Sequence, residues 1–362
     1  MNTPARVGVV GCGVIAHNYI RGSAAFDSFE LVACADLNEP AAAAFAAEHG
    51  LHVSSVDDLI ADPGIDAILN LTPPSAHAAV VSAAFAHGKH VYTEKPLATS
   101  VAAARDLVAA AAERGLRLAC APDTFLGSAY EAGRALIERG AIGEPLGATA
   151  TMLVGGPDGW HPNADVFYRD GGGPMLDIAP YYLTAVVSLL GPFVAASGFA
   201  ATPTPVRRLG VGPRAGEEFS VDVPTHVSAL LRLERGPLLT LTVSFEATEQ
   251  YESSMVVHGS EGTLELPDAN AFEGDVRVKT ARGELETVAY ESRGPQETRG
   301  LGLHELFESL QAARPHRASA ELGLHVLESA TAVLDSAREG RTVEIASRVG
   351  QATTQAQVSE RT

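Results

Sequence analysis

Ala5-Arg6-Val7-Gly8-Val9-Val10-Gly11-Cys12-Gly13-Val14-Ile15-Ala16 is the stretch that decides how this chain is read. An apolar run, Arg6 to Val10, enters a turn of the form G-x-G-x-x-A, and a helical pattern from Val14 to Ala25 leaves it. The first glycine of such a turn permits the tight bend, and the second lets backbone approach a pyrophosphate. The third small residue lets helix and strand pack closely, and the helix N-terminus then offers unpaired N–H groups and a positive dipole end. Gly11, Gly13, Val14 and Ile15 are therefore the expected phosphate-facing residues. Asp36 ends the next apolar run, 20 residues after Ala16, where a carboxylate suits the adenosine ribose hydroxyls. The glycine pattern alone is unspecific, since another α/β turn with Asp36 as an ordinary helix cap would share it. The strand before it, the helix after it and the placed acid favour a dinucleotide. The following Leu37-Asn38-Glu39-Pro40 carries no Arg or Lys for a 2′-phosphate, so NAD is expected rather than NADP.

Outward from this turn, short β-like runs alternate with Ala-rich helical runs as far as Leu116–Ala119. That alternation specifies a parallel sheet covered on both faces, an α/β domain over residues 1–121. Beyond Pro122 the texture changes. Longer β-like runs such as Gly147 to Val154, Val227 to Leu233 and Leu238 to Phe245 are separated by turns like Arg235-Gly236-Pro237. These predict an α+β domain over 122–345 with a mostly antiparallel sheet, closed by helices near Leu303–Ala313 and Glu321–Arg338 and followed by a polar tail, 346–362.

Composition bounds the function. Hydrophobic residues make up 46% and charged residues 19% of the 362, which fits globular domains. The formal net charge of −18 repels phosphate backbones and argues against a nucleic-acid partner. Cys12, Cys34 and Cys120 form no C-x-x-C pair and lie in apolar runs, so a reducing cytoplasm is expected rather than a disulfide framework. No apolar stretch is long enough to span a bilayer, and no membrane partner is expected. His49, His87, His304 and His325 show no ligand spacing, and no metal is expected.

Three further motifs follow in order: Thr72-Pro73-Pro74-Ser75-Ala76-His77, Glu94-Lys95-Pro96, and Gly171-Gly172-Gly173-Pro174-Met175-Leu176-Asp177. With the glycine turn and the late Val257-His258-Gly259-Ser260-Glu261-Gly262-Thr263-Leu264, they resemble the Gfo/Idh/MocA family of oxidoreductases. The resemblance covers nearly the whole chain. It implies a Rossmann domain, then an α+β domain whose large open sheet commonly forms a homo-dimer or homo-tetramer interface. It also implies hydride transfer between nicotinamide and a hydroxyl or carbonyl of a sugar, cyclitol or related polyol.

Hydride transfer from a carbinol needs a group that takes up the hydroxyl proton. Lys95 follows an apolar run and stands where the strand ends of an open α/β sheet place ligands. The resemblance assigns the lysine of this motif to the reacting oxygen. Glu94 orients the loop, pairs with Lys95 or touches ligand. Thr72, Pro73 and His77 are expected near the nicotinamide half, although His77 also fits an ordinary helix position. The third motif departs from the family pattern, which has histidine four residues after aspartate. Here Tyr181 follows Asp177 at that spacing, which on a helix beginning near Asp177 puts both on one face. The resemblance implies that both hold substrate hydroxyls. A phenol with a pKa near ~10 needs a nearby cation to act as base, and Lys95 is a candidate. Alternatively Lys95 alone, or His161, moves the proton and Tyr181 only binds. Trp160 and His161 precede the glycine run and suit a sugar ring, or belong to an ordinary loop. Two other functions share these motifs: redox-neutral sugar chemistry with tightly held NAD, and a non-catalytic NAD-binding sensor.

Overall fold

Short apolar runs alternating with helices leave the central strands no face for solvent. The computed structural model describes residues 3–248, 252–280, 283–296 and 298–350. In it β1 (Ala5–Val10), α1 (Val14–Ser23), β2 (Phe29–Ala35), α2 (Glu39–His49), β3 (His52–Val53), α3 (Val56–Ala61), β4 (Ala67–Asn70), α4 (Pro74–Ala86), β5 (His90–Thr93), α5 (Val101–Arg114) and β6 (Leu118–Cys120) follow one another. The six strands are all parallel, in the order β3-β2-β1-β4-β5-β6. Every residue of β4 and β6 is buried, as strands covered on both faces require. Ile68, Leu69 and Val91 have no exposed area, and each such side chain contributes about 1.5–3 kcal/mol relative to exposure.

Helix starts in this sheet are of two kinds. Asn38, Ser55 and Ser100 cap α2, α3 and α5 by accepting the N–H groups of Ala41, Asp58 and Ala103 at 3.2, 3.1 and 3.2 Å. Each such cap stabilises its helix by about 1 kcal/mol. By contrast, α1 and α4 start from Gly13 and Pro73, neither of which makes a side-chain cap bond.

The chain continues through α6 (Ser128–Glu138), β7 (Pro145–Leu153), α7 (Pro174–Asp177), α8 (Ala179–Leu190), β8 (Phe193–Ala201), β9 (Val206–Arg208), β10 (Glu218–Ser220), β11 (His226–Leu233), β12 (Leu238–Ser244), β13 (Glu252–Gly259), β14 (Gly262–Leu266), β15 (Arg277–Thr280) and β16 (Leu285–Thr287). It ends with α9 (Leu301–Gln311), α10 (Ala320–Glu339) and β17 (Val343–Glu344). Nine of these strands form one sheet in the order β16-β15-β14-β13-β7-β12-β11-β8-β17, and β9 and β10 pair separately. The large sheet is antiparallel except between β7 and β12. Val227, Ala229, Leu231 and Leu233 of β11 are buried, while Leu230 and Arg232 between them are exposed, so one face is covered and the other open. Helix α8 is buried along its whole length and packs on β7 and α6. A helix apolar all round is a core helix.

Two compact units result. One takes the chain up to Gly127 together with Arg293–Leu324; the other takes Ser128–Ser292 and His325–Arg348. The sequence shows one change of texture, near residue 121, whereas α9 rejoins the first unit. A buried carboxylate brings it back: Asp123, just past β6, pairs with Arg299 at 3.0 Å and accepts the N–H groups of Gly300 and Gly302 at 3.2 and 3.1 Å. Asp123 is fully buried. Residues 351–362 of the expected polar tail lie outside the described residues.

Candidate functional site

In the first unit, β1, β2, β4 and β5 end at one edge, with Val10 beside Ala35 and Asn70, and Asn70 beside Thr93. The glycine loop, Asp36, Thr72 and Lys95 all leave strands at that edge. Gly11 has φ +101°, and a Cβ there would lie 2.6 Å from the Leu71 carbonyl, so only glycine fits. The Asp36 carboxylate accepts the Cys12 N–H and the Asn38 N–H, both at 2.8 Å, which fastens the glycine loop to the end of β2. Burial, with Cys34 and Asp36 nearby, pushes the Cys12 thiol up to about 12 and keeps it neutral.

Gly13 differs from Gly11. Its φ of −80° suits any residue, and among the described residues no atom lies within 4 Å of a Cβ built on it. Among the described residues nothing calls for glycine there, and the open space leaves room for a ligand to approach the backbone. The helix that follows has no side-chain cap and no acid in its first turn. Its N–H groups and dipole are therefore available to an anion. Gly13, Val14 and Ile15 fit a pyrophosphate, and the half-exposed Asp36 retains acceptor capacity for hydroxyls.

At the ends of β4 and β5 the motif residues are interlocked. Asn70, fully buried, donates to Thr93 Oγ1 at 3.1 Å and accepts the Thr72 hydroxyl at 2.7 Å and its N–H at 3.3 Å. His77 is enclosed, with Nδ1 2.7 Å from the Pro96 carbonyl and Nε2 2.8 Å from the Thr72 carbonyl. Burial lowers its pKa, and the two carbonyls and Glu94 oppose that. An imidazole with both nitrogens on backbone braces the two motif turns against each other and offers no ring atom to a ligand. Glu94 is 9% exposed; it accepts the Tyr19 hydroxyl at 2.9 Å and the Lys95 N–H at 3.0 Å. Its role is to hold the loop that presents the half-buried Lys95. Pro73 is exposed at the start of α4.

The second unit carries the other candidates. The sequence reading starts a helix near Asp177 and keeps Asp177 and Tyr181 on it together. The structure corrects this: α7 ends at Asp177, and α8 begins at Ala179. Pro180 has no N–H to continue the ladder, and the Tyr181 N–H turns to the Ile178 carbonyl at 3.2 Å. Asp177 is half-buried, and Tyr181 is 9% exposed. Trp160 is 64% exposed, with the His161 ring edge-on at 5.5 Å. Their loop is fixed from beneath by Tyr168, whose hydroxyl donates to Asp158. Arg207 joins them, ion-paired to Asp158 and Glu246, both at 3.0 Å. Tyr168 itself is fully buried against Phe219 and Phe245.

Tyr19, Asn70 and Arg207 escape sequence reasoning because their partners are remote in the chain. A buried polar residue inside an apolar strand, as Asn70 is in β4, is the one signal that was available.

A parallel sheet in this order with a glycine turn at its first crossover defines a dinucleotide-binding unit, here joined to a second unit built on a mixed sheet. Residues 5–121 match the model of the oxidoreductase family with an NAD-binding Rossmann fold, and residues 130–265 match the GFO/IDH/MocA C-terminal domain. The chain belongs to this family. It is 29% identical to a 1,5-anhydro-D-fructose reductase of Ensifer adhaerens, over 94% of this chain and 98% of that protein. It is 31% identical to a dTDP-3,4-didehydro-2,6-dideoxy-alpha-D-glucose 3-reductase of Saccharopolyspora spinosa, over 73% and 75% of the two chains. The fold matches that of a levoglucosan dehydrogenase solved with NADH and L-sorbose, at a TM-score of 0.84 and 24% identity, covering 95% of this chain and 99% of that one.

Proposed function

We propose that this oxidoreductase transfers hydride between NAD and a CH–OH or carbonyl carbon of a sugar or related polyol. The observation that carries it is the joint geometry at one sheet edge: an uncapped glycine turn, a fastened Asp36 and a braced Lys95. Both similar reductases are named for carbohydrate substrates, which supports the substrate class. Asp36, with no cation in Leu37-Asn38-Glu39-Pro40, supports NAD over NADP.

A nicotinamide dinucleotide supplies the hydride acceptor or donor. Gly11, Gly13, Val14 and Ile15 hold its phosphates, Asp36 its ribose, and Thr72 and Pro73 its nicotinamide half. His77 and Glu94 position these turns. Lys95 polarises the reacting oxygen and handles its proton. Asp177 and Tyr181 hold substrate hydroxyls, and Trp160 and His161 give the sugar ring an aromatic face. Phe199, Leu230 and Leu238, 85%, 51% and 48% exposed on the open sheet face, support a homo-oligomer through that face. Three buried free thiols support a reducing compartment, the cytoplasm; among the described residues no helix is long and apolar enough to cross a membrane.

The test follows NADH absorbance across sugars, cyclitols and sugar acids, with NAD and NADP in parallel and Lys95→Ala as control. A substrate-dependent signal with NAD, reduced by about 10²–10⁴-fold in the variant, is expected. Product without net NADH would replace this reading with redox-neutral chemistry, and dinucleotide binding without turnover of any substrate would replace it with a sensor.

A further inference from the structure

We propose that His17, Glu48 and His49 form a binding site for a divalent transition-metal ion of the zinc class. Helix α1 supplies His17, and the last turn of α2 supplies Glu48 and His49. The sequence hides the set, because no ligand spacing joins position 17 to positions 48 and 49. In the fold, three ligand atoms converge: His17 Nδ1 lies 3.0 Å from His49 Nε2 and 3.7 Å from Glu48 Oε1, and His49 Nε2 lies 3.5 Å from the same oxygen. With metal–nitrogen and metal–oxygen distances of about 2.0–2.2 Å and tetrahedral angles, neighbouring ligand atoms stand roughly 3.3–3.5 Å apart. The observed triangle brackets that spacing, so three corners of the tetrahedron are set with little movement.

The surroundings favour a cation. Phe45, 3% exposed, stands edge-on to both imidazoles, with ring centroids 5.0 and 4.7 Å away, and walls the triangle on one side. The side chains of His17, Glu48 and His49 are 34%, 61% and 14% exposed, which leaves the ion a path and a fourth position for water. Two imidazoles and one carboxylate suit zinc, copper or nickel, whereas magnesium and calcium prefer oxygen ligands throughout. The alternative occupant of the 3.0 Å gap is a proton shared between the two rings. An incoming ion takes that proton's place: the proton passes to the other nitrogen of its ring or to water, and the two facing nitrogens then present lone pairs. An ion held here ties α1 to α2, the two helices that follow the glycine turn and Asp36. Occupancy is therefore expected to raise the thermal stability of the first unit.

The experiment uses the untagged full chain, stripped with EDTA and titrated with ZnCl₂ by calorimetry, beside His17→Gln and His49→Gln. Wild type is expected to bind one equivalent. Each variant, melting like metal-free wild type, is expected to bind it roughly tenfold or more weakly and to lose the zinc-induced rise in melting temperature. Excess Mg²⁺ is expected not to compete, and Co²⁺ is expected to give tetrahedral visible absorption in wild type alone. Absence of zinc binding by wild type, or equal affinity and stoichiometry in the variants, would overturn the proposal.

Discussion

At the scale of single residues, the proposed site divides into candidate ligand-facing groups and the groups that hold them. Lys95 is held by neighbours: Glu94 accepts its backbone N–H, the Tyr19 hydroxyl donates to Glu94, and His77 fixes the Pro96 carbonyl that follows. Tyr181 stands where the family pattern has histidine. As a substrate-binding group it is expected to affect KM more than kcat. In Tyr181→Phe, steady-state kinetics on the true substrate should show KM raised severalfold and kcat within about tenfold of wild type. A fall in kcat of about 10²-fold or more would give the phenol a share in proton transfer.

At the scale of elements, the crossover from β1 to α1 contains two glycines with different reasons to be glycine. Gly11→Ala meets the Leu71 backbone at 2.6 Å and must keep φ +101°. Strain of about 1–2 kcal/mol and overpacking of about 1–3 kcal/mol should together lower stability by about 2–5 kcal/mol in a denaturant melt. Gly13→Ala meets no atom of the described residues within 4 Å. Its stability should stay within about 0.5 kcal/mol of wild type, while dinucleotide affinity falls by about tenfold or more. Unchanged NAD binding in Gly13→Ala, measured by calorimetry, would remove the phosphate cradle from this turn.

At the scale of the whole molecule, the second unit is closed by α10 through His325. The Phe193 N–H donates to its Nε2 at 3.0 Å, so the ring must stay neutral there. Burial lowers its pKa from 6.5 to about 4, with Glu328 opposing and Arg348 assisting. Above pH 7 neither folded nor unfolded chain is protonated at this ring. Below 6.5 the unfolded chain gains a proton that the folded chain refuses until about pH 4, so stability falls through that window. Between pH 7 and 5 the loss from this group is about 2 kcal/mol, and His325→Gln should show a correspondingly shallower decline. The open sheet face carries a separate expectation. Phe199→Asp should shift the sedimentation of the native assembly toward the monomer, and a wild-type monomer would remove that face as an interface.

Much of the fold was legible because its signals are local. The glycine turn, the capped helices and the continuous apolar strands each declare themselves within a few residues, and they specify the parallel sheet. Strand β8 did not declare itself: Phe193–Ala201 is rich in Ala, Gly and Ser, and it becomes a strand through pairing with β11 and β17. The break between α7 and α8 was half legible, since Pro180 announces a discontinuity without saying on which side Asp177 falls. Local chemistry in the sequence alone thus determined the dinucleotide turn, the strand-end lysine and the class of protein. Tertiary structure alone decided that His77 and Glu94 are braces, that Asp123 recaptures α9, and that His17 meets His49. Those outcomes depend on groups distant along the chain approaching within hydrogen-bond reach, and no spacing in the sequence encodes that distance.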